Sequence, residues 1–225
     1  MAHAKALKVP ACAYCSIKAC CKGIDVTKLS FCPMNVYPEI IKKALTLYNG
    51  EVRRIHRVAS LVEKRGYTVW PRLREIAEFA RMLGLKRLGI AFCIGLSEEA
   101  RFVAEYLESV GFEVYSVCCK CGGVDKCWIG LSEDDKLNPG THEPMCNPIV
   151  QAELLNHVKT ELNIIIGLCV GHDTLFTMHS KAPVTYLIVK DRVTGHNPAV
   201  AIYAKGYFKS RLKVSSNSNS ESNSF

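Results

Sequence analysis

Residues 162–170 read LNIIIGLCV, and the reading of this run decides the fold. It is apolar almost without a break and carries a cysteine, Cys169, one residue before its end. A continuous apolar run of this kind fits a strand in a sheet covered on both faces. Two similar runs lie upstream, KRLGIAFC at 86–93 and FEVYSVCC at 112–119, and one downstream, APVTYLIVK at 182–190. The segments between them are helical. SEEARFVAEYLESVG (97–111) carries acids in its first turn, with Ser97 as its expected cap and Gly111 after its end. NPIVQAELLNHVKTE (147–161) reads as a helix, GHDTLFTMHS (171–180) as a short one, and NPAVAIYAKGYFKSRL (197–212) as the last. Residues 120–146 read as an irregular, Cys-bearing loop. The resulting order, β-α-β-loop-α-β-α-β-α, implies parallel strands joined by crossover helices. The expected class is α/β: a Rossmann-like three-layer domain of about four parallel strands, spanning residues 85–213. No GxGxxG follows the first strand, so dinucleotide binding is not expected.

The remainder divides by composition. Residues 1–37 have little periodicity and five cysteines, which reads as a small metal-held module. Residues 38–84 form a basic helical segment. Within it, 38–66 reads as one or two helices broken near Asn49-Gly50, with Ile55, Val58, Leu61 and Val62 at helical spacing. Another helix follows Pro71 and places Leu73, Ile76, Ala77, Ala80 and Leu83 on one face, with Gly84 at its end. Residues 214–225, VSSNSNSESNSF, have nothing to bury and are expected to be disordered.

A hydrophobic content of 48% over 225 residues excludes global disorder. The longest uncharged apolar stretch, around Leu88–Ser97, is about half a membrane span. The start, MAHAKALKVPACAYC, lacks the apolar run of a secretory signal, so a cytoplasmic location is expected. That compartment is reducing, and the 12 cysteines are therefore read as metal ligands or redox groups rather than disulfides. The formal charge of +8 is uneven: residues 1–82 carry +9 and the remainder −1.

The cysteines fall into two groups. Cys12, Cys15, Cys20, Cys21 and Cys32 form C-x2-C-x4-C-C-x10-C-P. A CxxC brings two sulfurs to one metal and a second pair completes a tetrahedron. The Cys32-Pro33 ending suits a ferredoxin-type motif equally well, so zinc and an iron–sulfur cluster both fit Cys12, Cys15, Cys20 and Cys32. The second group is set by topology. Cys93 closes the first strand, Cys118 and Cys119 the second, with Cys121 two residues on, and Cys169 the third. A parallel sheet lines all its strand C-termini along one edge, where ligands bind. A single Cys in an apolar strand is usually just a small hydrophobe, but all of these occupy the same end of their strands. Cys127 and Cys146 lie in loops able to reach that edge. Three thiolates from three strand ends suit a [4Fe-4S] cubane with one iron open; a catalytic zinc is the alternative. His172 and Asp173 follow Cys169 and are candidate proton movers. Lys190 and Arg192 follow the fourth strand, where cations hold an anionic substrate or offset thiolate charge. His56, His157 and His179 read as surface residues.

The stretches AFCIGLSEEA, SVCCKCG, MCNPIVQAELLN, GLCVGHDTLF and APVTYLIVKDRVTGHNP, with the N-terminal CAYC…C…CP, resemble a family of uncharacterised Cys-rich proteins of anaerobic bacteria and archaea. The resemblance covers most of residues 12–210. It implies a metal-binding protein and supplies no reaction. A three-thiolate cubane at a strand edge is also similar in architecture to the centre of thiouracil desulfidases, where the open iron accepts sulfur from a substrate. Three functional classes are therefore expected. One is an iron–sulfur enzyme, lyase or desulfidase-like, acting on a small and sulfur-containing molecule. Another is a zinc module whose basic helices (Lys42, Lys43, Arg53, Arg54, Arg57, Lys64, Arg65, Arg72, Arg74) contact nucleic acid; a plain solvated surface explains those residues better. The third is a metal or electron carrier without turnover, using Cys118, Cys119 and Cys121.

Overall fold

The computed structural model describes residues 8–27 and 29–213; the low-complexity tail lies outside the described residues. The chain divides into two compact units, Met1–Leu61 and Val62–Phe225. In the first, a 3-10 turn at Cys12–Tyr14 precedes α1 (Ala19–Lys22), α2 (Pro33–Val36), α3 (Pro38–Leu45) and the start of α4 (Gly50–Gly66). Pro33 and Pro38 each stand at a helix's first position, where the missing N–H is no loss. The expected break falls between α3 and α4, at Asn49-Gly50.

The second unit holds a sheet of four parallel strands: β1 (Arg87–Phe92), β2 (Glu113–Cys118), β3 (Leu162–Ile166) and β4 (Val184–Ile188). Their order across the sheet is β2-β1-β3-β4. Both faces are covered. Leu88 and Ile90 of β1 and Leu162, Ile164 and Ile166 of β3 pack with α5 (Arg72–Met82) and α6 (Ser97–Ser109). The alternate residues, Ala91 and Ile165, pack with Ala152 and Leu155 of α7 (Pro148–His157) and Phe176 of α8 (His172–His179). This is the expected three-layer α/β arrangement, and it explains why β3 is buried at all five positions.

The one polar residue in the apolar run is fully paired despite complete burial. Asn163 Oδ1 accepts from Thr160 Oγ at 2.8 Å, and Asn163 Nδ2 donates to Ser180 Oγ at 2.8 Å. Its side chain fills the space beside Gly89 on β1, where an added Cβ would lie 2.0 Å from Asn163 Oδ1.

Two local expectations differ from the structure. Ser97 is the first residue of α6 rather than its cap; a 3-10 turn (Ile94–Leu96) comes first, and Ser97 Oγ donates back to the Ile94 carbonyl at 2.7 Å. A local side-chain bond of this kind competes with capping. The last helix is also broken at Ala204 into α9 (Ala199–Tyr203) and the four-residue α10 (Lys205–Phe208), which itself contains Gly206, a poor helix former.

Gly89→Ala is expected to lower unfolding free energy by about 1–3 kcal/mol through overpacking against Asn163. A denaturant titration checks this, and an unchanged midpoint would contradict the close approach.

Candidate metal centre

The sheet order places a topological switch point between β1 and β3. The chain leaves β1 through α6 on one face and leaves β3 through α8 on the other. A crevice opens where two connections diverge in this way. Cys93 follows β1 and Cys169 follows β3, so these two thiol-bearing residues flank it. Cys119 follows β2 on the neighbouring position. The last rungs of the ladder fix their backbones. Cys93 N donates to the Ile166 carbonyl at 3.0 Å, and Cys119 N to the Phe92 carbonyl at 2.8 Å. The Cys119 carbonyl in turn accepts from Asn147 N at 2.7 Å, which draws the neighbouring Cys146 to the same edge. Asn147 then caps α7 through its side chain.

Cys93, Cys119 and Cys146 form a coupled row of thiols. The hydrogen bond with Cys119 pushes Cys93 down to about 5, helped by the Gly95 amide and the Lys190 ammonium against the effect of burial. Cys146 is pushed down to about 4, first by Cys119, then by the His172 imidazole, with Lys120 adding to it. Cys119, in the middle, goes the other way: its proton serves both neighbours, first Cys146 and then Cys93, and holds its thiol far above the usual range. Contact with Cys146 raises His172. Cys169 stands under Arg192, whose Nη2 donates to its Sγ at 3.3 Å. Cys169 raises that guanidinium, and Cys93 and Cys146 contribute at longer range. The rim is thus thiol inside and cation outside, the balance that thiolate-rich sites require.

Gly167, between β3 and Cys169, has a φ of +65°, and a Cβ there would lie 2.0 Å from Leu96 Cδ1. Only glycine lets the chain turn this close to the β1 connection.

Asp173 stands in the first turn of α8. Its Oδ1 accepts from Gly171 N and Thr174 N at 3.0 and 2.8 Å, which fixes the start of α8, where His172 stands. Cys118 is half-buried beside the same cluster, and Cys121 N closes a turn onto the Cys118 carbonyl at 3.1 Å. Cys127 does not reach the edge. It joins Asp125 and Glu133, whose ligand atoms all lie within 4.8 Å of one another, and its Sγ donates to Glu133 at 3.3 Å. The buried ammonium of Lys136 already supplies that group's cation, at 3.0 Å from Asp125 and 2.7 Å from Glu133. His56, His157 and His179 are exposed, as expected.

In the first unit, all five cysteines are free. Cys15 and Cys32 are half-buried, and Cys12, Cys20 and Cys21 are exposed. Cys15 N closes the 3-10 turn onto the Cys12 carbonyl, and Cys21 sits against Cys20 and raises its thiol. Among the described residues, neither cysteine group contains three donors all within 4.8 Å of one another.

Sequence reasoning missed two residues of the edge. Lys120 acts on Cys146 and His172, and its only signal was its place after Cys119. Gln151, fully buried on α7, donates through Nε2 to the Phe92 and Val117 carbonyls at 3.2 and 2.7 Å, tying β1 to β2 where both end. Among the described residues, no helix is long and apolar enough to cross a membrane.

Residues 32–187 match the family model described as "Protein of unknown function (DUF1847)". An uncharacterised protein of Methanocaldococcus jannaschii is 47% identical over 203 residues, covering 90% of this chain and 98% of that relative. Among solved structures, Dph2 from Pyrococcus horikoshii with a 4Fe-4S cluster aligns at a TM-score of 0.31 and 18% identity. The alignment covers 61% of this chain and spans about a third (32%) of that one. At that score the likeness carries no argument about function.

Two outcomes follow from the charge arrangement. In the reduced, metal-free chain, iodoacetamide is expected to label Cys146 at pH 6, where its thiolate persists. Cys127, raised by Asp125 and Glu133, is expected to lose reactivity about tenfold per pH unit. Peptide mass spectrometry reads both, and equal labelling would contradict the arrangement. The 120–146 loop has the opposite sensitivity. The Asp125 carboxylate accepts from the Cys127 amide, Lys136 and the Glu143 amide, and Glu133 and Glu143 are paired likewise; all three are held below their ordinary values. Depressed carboxylates stabilise the fold above their unfolded values of 3.8–4.5, and that contribution is lost as pH falls below them. Amide exchange at Cys127, Gly140 and Glu143 is therefore expected to quicken below pH 4.5 before exchange at Ile90 and Ile164 does. Simultaneous loss would contradict this order.

Proposed function

We propose that this chain, which belongs to the family described as Protein of unknown function (DUF1847), binds an iron–sulfur cluster at the switch point of its sheet and acts there on a small molecule. The observation that carries this reading is the convergence of Cys93, Cys119 and Cys169 from three strand ends onto one cation-rimmed edge, with Cys146 joining from a loop. The donor set is all soft thiol, which suits iron–sulfur or zinc over harder metals. Delivery from three separate strand ends favours a cubane with one iron open over a closed structural zinc.

A cluster held by Cys93, Cys119 and Cys169 supplies an iron with an open position, a Lewis acid for a soft donor such as a substrate sulfur. The protein's own groups do the remaining work. Arg192 and Lys190 offset thiolate charge and hold an anionic group at the crevice. His172, set beside Cys146 at a helix start that Asp173 ties to the Gly171 amide, holds the proton that a departing group needs. Cys118 lies one residue from Cys119 and is an alternative ligand. Cys12, Cys15, Cys20 and Cys32 form a separate site for zinc or a second cluster.

The nucleic-acid reading is weaker. Arg54 pairs with Glu51, Arg72 Nε donates to the Tyr186 carbonyl, and Arg74 stacks on Trp70, so these cations serve contacts within the chain.

Anaerobic purification with iron, zinc and sulfide analysis tests the proposal. The wild type is expected to be brown. Cys169→Ser is expected to lose a large part of its iron, sulfide and visible absorption while the zinc or iron at the N-terminal site stays. A colourless wild type with full zinc occupancy would overturn the cluster.

A further inference from the structure

We infer that the cleft beside Cys146 and His172 is the binding site for an uncharged organic molecule with an apolar body and one polar end. This rests on the reading of the thiol edge as the reactive centre and names the class of molecule brought to it. A cavity of about 450 Å3 lies between the 120–146 loop and the starts of α7 and α8. This size is typical of small-molecule sites. Its walls include Trp128 and Ile129 from the loop, Ile149 and Val150 from α7, and Leu175 from α8.

Trp128 is 76% exposed and Ile129 55%, and both lie on the mouth of a concavity. Clustered apolar exposure around a hollow marks a surface built to be covered. The described lining contains no Asp, Glu, Lys or Arg, and its two ionisable groups, Cys146 and His172, engage each other, so neither is left to compensate a charge on the body of a ligand.

Polarity is confined to Cys146, Asn147 and His172. His172 Nδ1 is a buried atom without a hydrogen-bond partner in the described structure. A buried polar atom left unpaired costs free energy until something pairs with it. In this cavity the candidate is the polar end of a ligand, which then stands next to Cys146. The cations Lys190 and Arg192 lie with Cys93 and Cys169 outside this lining. The apolar body and the cationic crevice are therefore separate parts of one site.

The test uses the full chain purified without oxygen, with iron and sulfide assayed on each sample. The probe is the neutral fluorophore N-phenyl-1-naphthylamine. The wild type is expected to bind it, and to bind the anionic 8-anilinonaphthalene-1-sulfonate about tenfold more weakly because a charge is unpaired in the cavity. Ile149→Asp and Leu175→Asp, both at partly exposed wall positions, are expected to weaken the neutral probe about tenfold, and Ile202→Asp, on the exposed surface of α9, to leave it unchanged. Bound probe is expected to slow iodoacetamide labelling of Cys146 severalfold. Equal binding of both probes, or no protection of Cys146, overturns the inference; both are read on the wild type, so a misfolded variant does not decide the matter. Intact neutral-probe binding in a protein without iron and sulfide overturns the cluster and leaves the pocket; iron and sulfide without probe binding does the reverse.

Discussion

The thiol-bearing edge depends on backbone hydrogen bonds made where the strands stop. Cys93 N on the Ile166 carbonyl, Cys119 N on the Phe92 carbonyl and Gly167 N on the Ile188 carbonyl are the last rungs of a parallel ladder. Parallel strands all end on the same side, so each rung delivers the next residue of its chain to one line. Gln151 braces that line from α7, through the Phe92 and Val117 carbonyls. The two outer strands, β2 and β4, are registered on β1 and β3, both sealed by apolar side chains on two faces. The precision of the site is borrowed from the least solvent-accessible part of the molecule.

Charge then sorts the cysteines that the ladder gathers. Thiols this close cannot all ionise without repulsion, and the edge resolves the conflict by sharing a proton at Cys119 while cations attend the outer thiols. Lys190 serves Cys93, His172 and Lys120 serve Cys146, and Arg192 serves Cys169. On the proposed reading, a metal taking the place of the Cys119 proton would complete the balance already laid out in side chains. The same logic gives the opposite result at Cys127, where acids surround the thiol and a buried lysine satisfies the acids.

The strands were legible in the sequence because burial on two faces leaves an apolar run, as in LNIIIGLCV. The strand-end position of Cys93, Cys119 and Cys169 followed from the same reading. The order β2-β1-β3-β4 did not, since an apolar run does not say which neighbour it pairs with. Short-range competition hid the start of α6, where Ser97 bonds backward to Ile94, and Gly206 marked the last helix as weak although the break itself falls at Ala204. Cys127 and Cys146 looked alike, each a loop cysteine. What separates them is a long-range bond, Asn147 N to the Cys119 carbonyl, and a local acidic turn around Asp125, neither visible as periodicity. Gln151 was equally opaque: one polar residue on a helix reads as surface until the strand carbonyls it meets are known.

The distribution of the edge thiols along the chain has a consequence for how the protein matures. Cys93, Cys119, Cys146 and Cys169 come from three separate connections, and only Cys119 and Cys146 share one, at its opposite ends. They meet only after β1 has paired with both β2 and β3, contacts of high sequence separation that form late. A nascent chain emerging from the ribosome presents them singly. A cluster of the kind proposed would therefore enter an assembled sheet, and its occupancy would report on completed folding. The cysteines between residues 12 and 32 all lie within a single short stretch and need no such long-range assembly to meet.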